Sequence, residues 1–136
     1  MPNELFRAAG SRLRGLRVLI VEDSWVIGRS QQVLLEKVGM VVVGPVATAT
    51  AAECLALEHA PQLAVVNVKL QDGMAFGLID SLRDLGVLVV VISGFAPFST
   101  PTLKADAVLQ KHCSGQALLA TLCRVLAGNP TRPAPV

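Results

Sequence analysis

Long hydrophobic runs are missing from this 136-residue chain. The longest unbroken aliphatic stretch is six residues, Val87 to Ile92, far short of the twenty or so that cross a bilayer. No signal peptide is visible: after Arg12 and Arg14, the apolar run Val18–Val21 stops at Glu22 and Asp23. Both absences place the expectation in the cytosol. Cysteine is scarce. Cys54, Cys113 and Cys123 are too few and too oddly spaced for a disulfide framework or a zinc site, and His59 and His112 add little to a metal cage. The cysteines read as reduced core fillers. Charge is also sparse, 16% of residues against 52% hydrophobic, which excludes a disordered regulator. A net charge of +2 is too small and scattered for a nucleic-acid surface. The basic residues Arg7, Arg12, Arg14 and Arg17 lie mostly in the N-terminal lead-in, where a solvated tail is the commoner meaning than a nucleic-acid or membrane arm.

What is present alternates. Arg17–Val21 is a continuous apolar run, as in a strand covered on both faces. A helical stripe of Ile27, Leu34, Leu35 and Val38 follows, stopped by Gly39. Met40–Val46 is a second β-branched run. Thr50 and Glu53 have capping-box spacing ahead of a second helix, with Ala52, Leu55, Ala56 and His59 on one side and Pro61 as its close. Leu63–Asn67 is a third strand. The turn Gln71-Asp72-Gly73 leads to a helix with the stripe Ala75, Leu78, Ile79 and Leu82. Val87–Ile92 and Ala107–Gln110 complete five strands. Ser114 caps a last helix whose inner residues are Leu118, Leu122, Val125 and Leu126.

This order predicts right-handed βαβ crossovers and a doubly wound five-stranded parallel sheet, an α/β sandwich. The domain spans 16–127, between an N-terminal tail (1–15) and a Pro-rich C-terminal tail (128–136). Within Gly94–Asp106, Pro97 and Pro101 argue against a long helix.

Ligands of such sheets bind outside the carboxyl ends of the strands. There the sequence puts Glu22 and Asp23 after the first strand, Asn67 at the end of the third with Lys69 two residues on, Ser93-Gly94 after the fourth, and Lys111 after the fifth. The segments VLIVEDS, AVVNVKLQDG, VVVISG and LQK, in this order, resemble the receiver domain of two-component response regulators, the CheY-like family with a flavodoxin-like fold.

The resemblance implies a chemistry. In that family a carboxylate ending the third strand takes a phosphoryl group from a kinase phosphohistidine or a small donor. An acidic pair holds Mg²⁺, a hydroxyl on the fourth strand and a lysine after the fifth contact the phosphoryl oxygens, and a backbone carbonyl two residues after the acceptor completes the metal site. By position, Glu22 and Asp23 are the acidic pair, Ser93 the hydroxyl, Lys111 the lysine, and Lys69 supplies the carbonyl. Asn67 departs. Its amide nitrogen is delocalised into the carbonyl and its oxygen carries no full charge, so no stable acyl phosphate forms there. Asp72 is a weak substitute acceptor and reads as a turn residue.

Counting Glu22, Asp23, Lys69 and Lys111 gives a formally neutral pocket, so Mg²⁺ binding is expected to be weak or absent, with Lys111 paired to the acids. Ser93 and Lys111 read equally well as relics. Glu22 and Asp23 also read as simple caps of the first helix. Trp25 reads as packing at the top of that helix. Val108 stands where the family carries a switch aromatic, and His112 where it carries proline.

The resulting expectation is a single-domain pseudo-receiver, not an enzyme. It docks to a sensor histidine kinase, another signalling protein or a second copy of itself, with no nucleic acid and no membrane. Two alternatives remain open. One is a phosphoryl-accepting receiver whose natural aspartate at position 67 has been changed to Asn. The other is a nucleotide- or flavin-binding α/β domain, although no GxGxxG or GxxxxGK[ST] follows the first strand.

Overall fold

The computed structural model describes residues 2–94 and 104–128, with side chains from residue 7 onward. Five parallel strands form the central sheet: β1 (Arg17–Val21), β2 (Val41–Val46), β3 (Leu63–Asn67), β6 (Leu88–Ser93) and β7 (Ala107–Gln110). Their spatial order is β2-β1-β3-β6-β7. A two-stranded antiparallel hairpin, β4 (Lys69–Leu70) with β5 (Gly73–Met74), follows β3 directly. The helices are α1 (Pro2–Leu13), α2 (Trp25–Lys37), α3 (Ala49–His59), α4 (Phe76–Asp84) and α5 (Gly115–Ala127). Among the described residues no helix is long and apolar enough to cross a membrane.

Successive strand residues point to opposite faces, so each strand feeds two cores. Val18, Ile20, Leu63, Val65, Leu88 and Val90 pack with α1, α2 and α5. Leu19, Val21, Ala64, Val66, Val89 and Val91 pack with α3 and α4. This explains why the central strands are apolar throughout instead of alternating. The predicted bounds of the third and fifth strands coincide with β3 and β7, and β6 starts one residue later than expected.

The N-terminal segment is the main departure. Instead of a solvated tail, residues 2–13 form α1, which begins on proline, a residue suited to the first helical turn. Ala9 and Leu13 are fully buried in the α2/α5 core. Gly10 permits this docking: a Cβ there would lie 3.3 Å from the Val38 carbonyl oxygen. Arg17 is not part of a basic arm either. Its Nε donates to the His59 carbonyl at 2.8 Å and its Nη2 to the Ala60 carbonyl at 2.9 Å, capping the C-terminus of α3.

Helix starts follow local capping chemistry. Ser24 and Ser114 cap α2 and α5, accepting from the Ile27 and Ala117 N–H groups. For α3 the cap is Thr48, not Thr50: its Oγ1 accepts from Ala51 N at 3.2 Å. The cysteines are free, and Cys54 is exposed, so it fills no core; Cys123 packs against the α1/α5 side. The irregular stretch within 94–106 falls largely on residues 95–103, outside the described residues, as do the last eight residues of the C-terminal tail.

Candidate functional site

Parallel pairing of β1 with β3 and of β3 with β6 brings three strand ends to one rim. Asn67 is the last residue of β3, in register with Ile92, so Ser93 lies one residue beyond it on the neighbouring strand. Val68 N donates to the Ile92 carbonyl at 3.3 Å, closing this corner. Glu22, Asn67 and Ser93 are all buried, 3%, 4% and 3% exposed, in a fold whose other buried side chains are almost entirely apolar.

The Asn67 amide is the centre of the arrangement. Its Nδ2 donates to Asp23 Oδ1 at 3.0 Å and to the Lys69 backbone carbonyl at 2.6 Å. Both partners are acceptors, so the amide must present its NH₂ side to them. The Lys69 carbonyl is held for this by the β4–β5 hairpin, while the Lys69 side chain is exposed.

Glu22 follows β1 and is anchored by its own N–H, which donates to the Val46 carbonyl at 2.9 Å. Glu22 Oε2 accepts from Ser24 N at 2.9 Å, whereas Oε1 has no hydrogen-bond partner among the described residues. Burial raises the Glu22 carboxyl to about 7, assisted by the neighbouring Asp23 side chain and opposed by Ser24 N–H and Lys111. Asp23 moves the other way: the adjacent Glu22 side chain holds it below the usual carboxylate range, with smaller help from Lys111 and the Asn67 amide. Near neutrality Glu22 therefore holds its proton more readily than Asp23. The acidic pair carries about one negative charge when Glu22 is protonated, not the two of the formal count.

Lys111 acts on this pair through space. Among the described residues it makes no direct ion pair, so the expected contact with the acids is absent. Its N–H donates to the Ser93 carbonyl at 2.8 Å. Its side chain runs over Gly94, whose missing Cβ would sit 3.4 Å from Lys111 Cδ. Ser93, Gly94, Gln110, Lys111 and His112 line a cavity of about 350 Å³ beside the rim. His112 has φ 68°, a left-handed value closed to proline, so the residue type matches the backbone. Trp25 does not pack on the helix top; it is 76% exposed.

Two polar devices around the site are long-range and were not read from the sequence. Asp72 is more than a turn residue. Its Oδ1 accepts from Ala49 N at 2.9 Å and its Oδ2 from Thr50 N at 3.3 Å, which clips the hairpin to the start of α3. The Ala49 bond leads in holding its carboxyl below the usual range. Asp106 accepts from Val89 N at 2.7 Å and pairs with Arg83 at 2.6 Å, fixing the approach to β7.

No family model and no curated protein matches the chain. Solved structures do. A CheY-like response regulator receiver domain from Methanospirillum hungatei JF-1 is 25% identical, with a TM-score of 0.72 over 79% of this chain and 90% of that one. A CheY-like receiver domain from Methylobacillus flagellatus is 23% identical, with a TM-score of 0.72 over 82% and 98%. The response regulator PhyR from Brucella abortus is 21% identical, with a TM-score of 0.75 over 89% of this chain but only 51% of that one. The chain thus has the flavodoxin-like α/β fold of CheY-like receiver domains, and these neighbours belong to response regulators.

Proposed function

We propose that this chain is a cytosolic receiver module of two-component signalling that works by protein–protein contact and takes no phosphoryl group at Asn67. One observation carries the reading: the Asn67 NH₂ bonds both the Asp23 carboxylate and the Lys69 carbonyl. In a phosphorylatable receiver those two oxygens would face a divalent cation. Here a neutral donor faces them, and the nucleophilic oxygen is replaced by an amide.

A hard cation needs several oxygens turned toward it. Of the candidate donors, one Asp23 oxygen and the Lys69 carbonyl are taken by the amide, and Glu22 is half protonated near pH 7. The donor set does not fit Mg²⁺ well, which supports the expectation of weak or absent binding. The amide in effect holds the rim in one arrangement without metal. Partner docking then reads a fixed surface, supplied to a histidine kinase or another regulator.

The test is acetyl phosphate with Mg²⁺ on this chain and on Asn67→Asp, followed by intact mass. The expected result is a one-phosphate mass gain on the Asp variant alone. A gain on the unaltered chain overturns the reading.

A further inference from the structure

The two faces of the sheet carry opposite charge. The described side chains of α1, α2 and α5 include five cations and one carboxylate, Glu36. Those of α3 and α4 include four carboxylates and one cation, Arg83. Each face also leaves apolar side chains in solvent, among them Trp25, Val26 and Val33 on α2 and Leu57 on α3. Val33 on α2 is 52% exposed and Leu57 on α3 is 72% exposed.

The spacing on the two helices matches. Arg29 lies four residues before Val33 on the outer stripe of α2, and Glu53 lies four residues before Leu57 on the outer stripe of α3. One helical turn separates the members of each pair, about 6 Å at 1.5 Å per residue. Laid parallel, α2 of one molecule and α3 of another put Val33 on Leu57 and Arg29 on Glu53 together. In the same parallel alignment like-on-like pairing fails, since α2 against α2 sets Arg29 near Arg29 and α3 against α3 sets Glu53 near Glu53; run antiparallel, α2 centred on Val33 sets Arg29 near Lys37, and α3, which has no Lys or Arg, offers Glu53 no cation. The Arg29 guanidinium has donors to spare, since Nη1 bonds Gln32 Oε1 at 3.2 Å and the group carries five N–H donors in all.

We infer that the occupant of the α2 face is the α3 face of a second copy of this chain, in a head-to-tail contact centred on Val33 with Leu57 and Arg29 with Glu53. Such an interface is heterologous, so it does not close at two molecules and extends into open chains as concentration rises. The contact lies on the outer helix surfaces and does not depend on the chemistry of Asn67. Its failure therefore leaves the phosphorylation result untouched, and the converse holds.

The experiment is sedimentation velocity on the full chain from about 10 to 300 µM, a range suited to a weak contact. In low salt the weight-average sedimentation coefficient is expected to climb with concentration. Association is expected to weaken by about tenfold at high salt, where the Debye length shrinks to a few ångströms. Leu57→Asp and Val33→Asp, both at exposed positions and checked for folding by circular dichroism, are each expected to be monomeric. Mixed in equal amounts they are expected to form a heterodimer and nothing larger, because one intact α2 face meets one intact α3 face. Arg29→Glu and Glu53→Arg are each expected to weaken association, and their double variant to restore it. A wild-type chain that stays monomeric in low salt overturns the inference. So do single variants that associate like wild type, or a mixture that stays monomeric while wild type associates.

Discussion

Helices α5 and α3 are of similar length but are held to the sheet by different means. α5 buries Leu118, Leu119, Leu122 and Val125, and it starts on its own serine cap. α3 buries only Ala52 and Ala56, so it brings little apolar area to its core. Its ends are secured from outside. Asp72 accepts its first N–H groups, and Arg17 donates to its last carbonyls. A helix with large buried side chains supplies its own binding energy. A helix whose fully buried residues are two alanines relies on ends tied by distant polar residues. In this molecule the weaker helix is the one joined to the rim, through the hairpin that carries the Lys69 carbonyl.

The α5 side of that contrast breaks most severely. Leu122 is fully buried among residues of the α1/α2/α5 core. Leu122→Ala is expected to lower stability by about 3 to 4 kcal/mol, the lost transfer energy plus a cavity term. Urea denaturation monitored by circular dichroism measures it. A loss within about 0.5 kcal/mol, typical of surface positions, would show that α5 is not held as described.

The contrast also sorts what could be read from sequence. Apolar runs such as Val87–Ile92 and stripes such as Leu78, Ile79 and Leu82 report burial directly, so the five parallel strands and most helices were legible. α1 was not, because its buried positions are small or isolated: Ala9, the close-approach Gly10 and Leu13 stand among exposed arginines. At the rim, the identities of Glu22, Asp23, Asn67, Ser93 and Lys111 and their common location followed from strand ends. Which atoms bond did not. The two donors of the Asn67 amide, the unpartnered Glu22 Oε1 and the separation of Lys111 from the acids depend on angles that spacing does not encode. The clips by Arg17, Asp72 and Asp106 join residues 42, 23 and 17 positions apart, beyond any local pattern.

Glu22 sharpens the comparison from the opposite direction, since it is a buried polar group whose Oε1 has no partner among the described residues. Its folded pKa, about 7, lies above the ordinary value of 4.5. The folded state therefore binds the proton more tightly than the unfolded chain. The stabilisation is fully present below about pH 4.5 and is lost as pH rises through 7. One pKa unit corresponds to about 1.4 kcal/mol, so the part of the loss that falls between pH 5 and pH 8 is expected to be roughly 2 to 3 kcal/mol. Urea titrations at pH 5 and pH 8 should show it in the unaltered chain. In Glu22→Gln, which cannot ionise, this part of the slope should vanish. Equal slopes in the two proteins would mean that Glu22 ionises freely in the fold.

The smallest expected effect lies at the C-terminal end of α3. Arg17 donates there to two carbonyls that the helix itself leaves without partners, and Ala60 is held in a left-handed conformation at φ 46°. The guanidinium is on the surface, so water can replace much of what it gives. Arg17→Ala is expected to lower stability by about 1 kcal/mol, in line with a hydrogen bond to a charged group that solvent partly screens. Arg17→Lys is informative because an ammonium on a flexible stem lacks the planar fork that reaches both carbonyls at once. It should recover the charge–dipole part and only some of the rest. Amide hydrogen exchange locates the effect: faster exchange confined to α3 is expected, with α5 unchanged. If α5 amides speed up equally, the two helices unfold as one unit, and the separate means of attachment argued for them would be wrong.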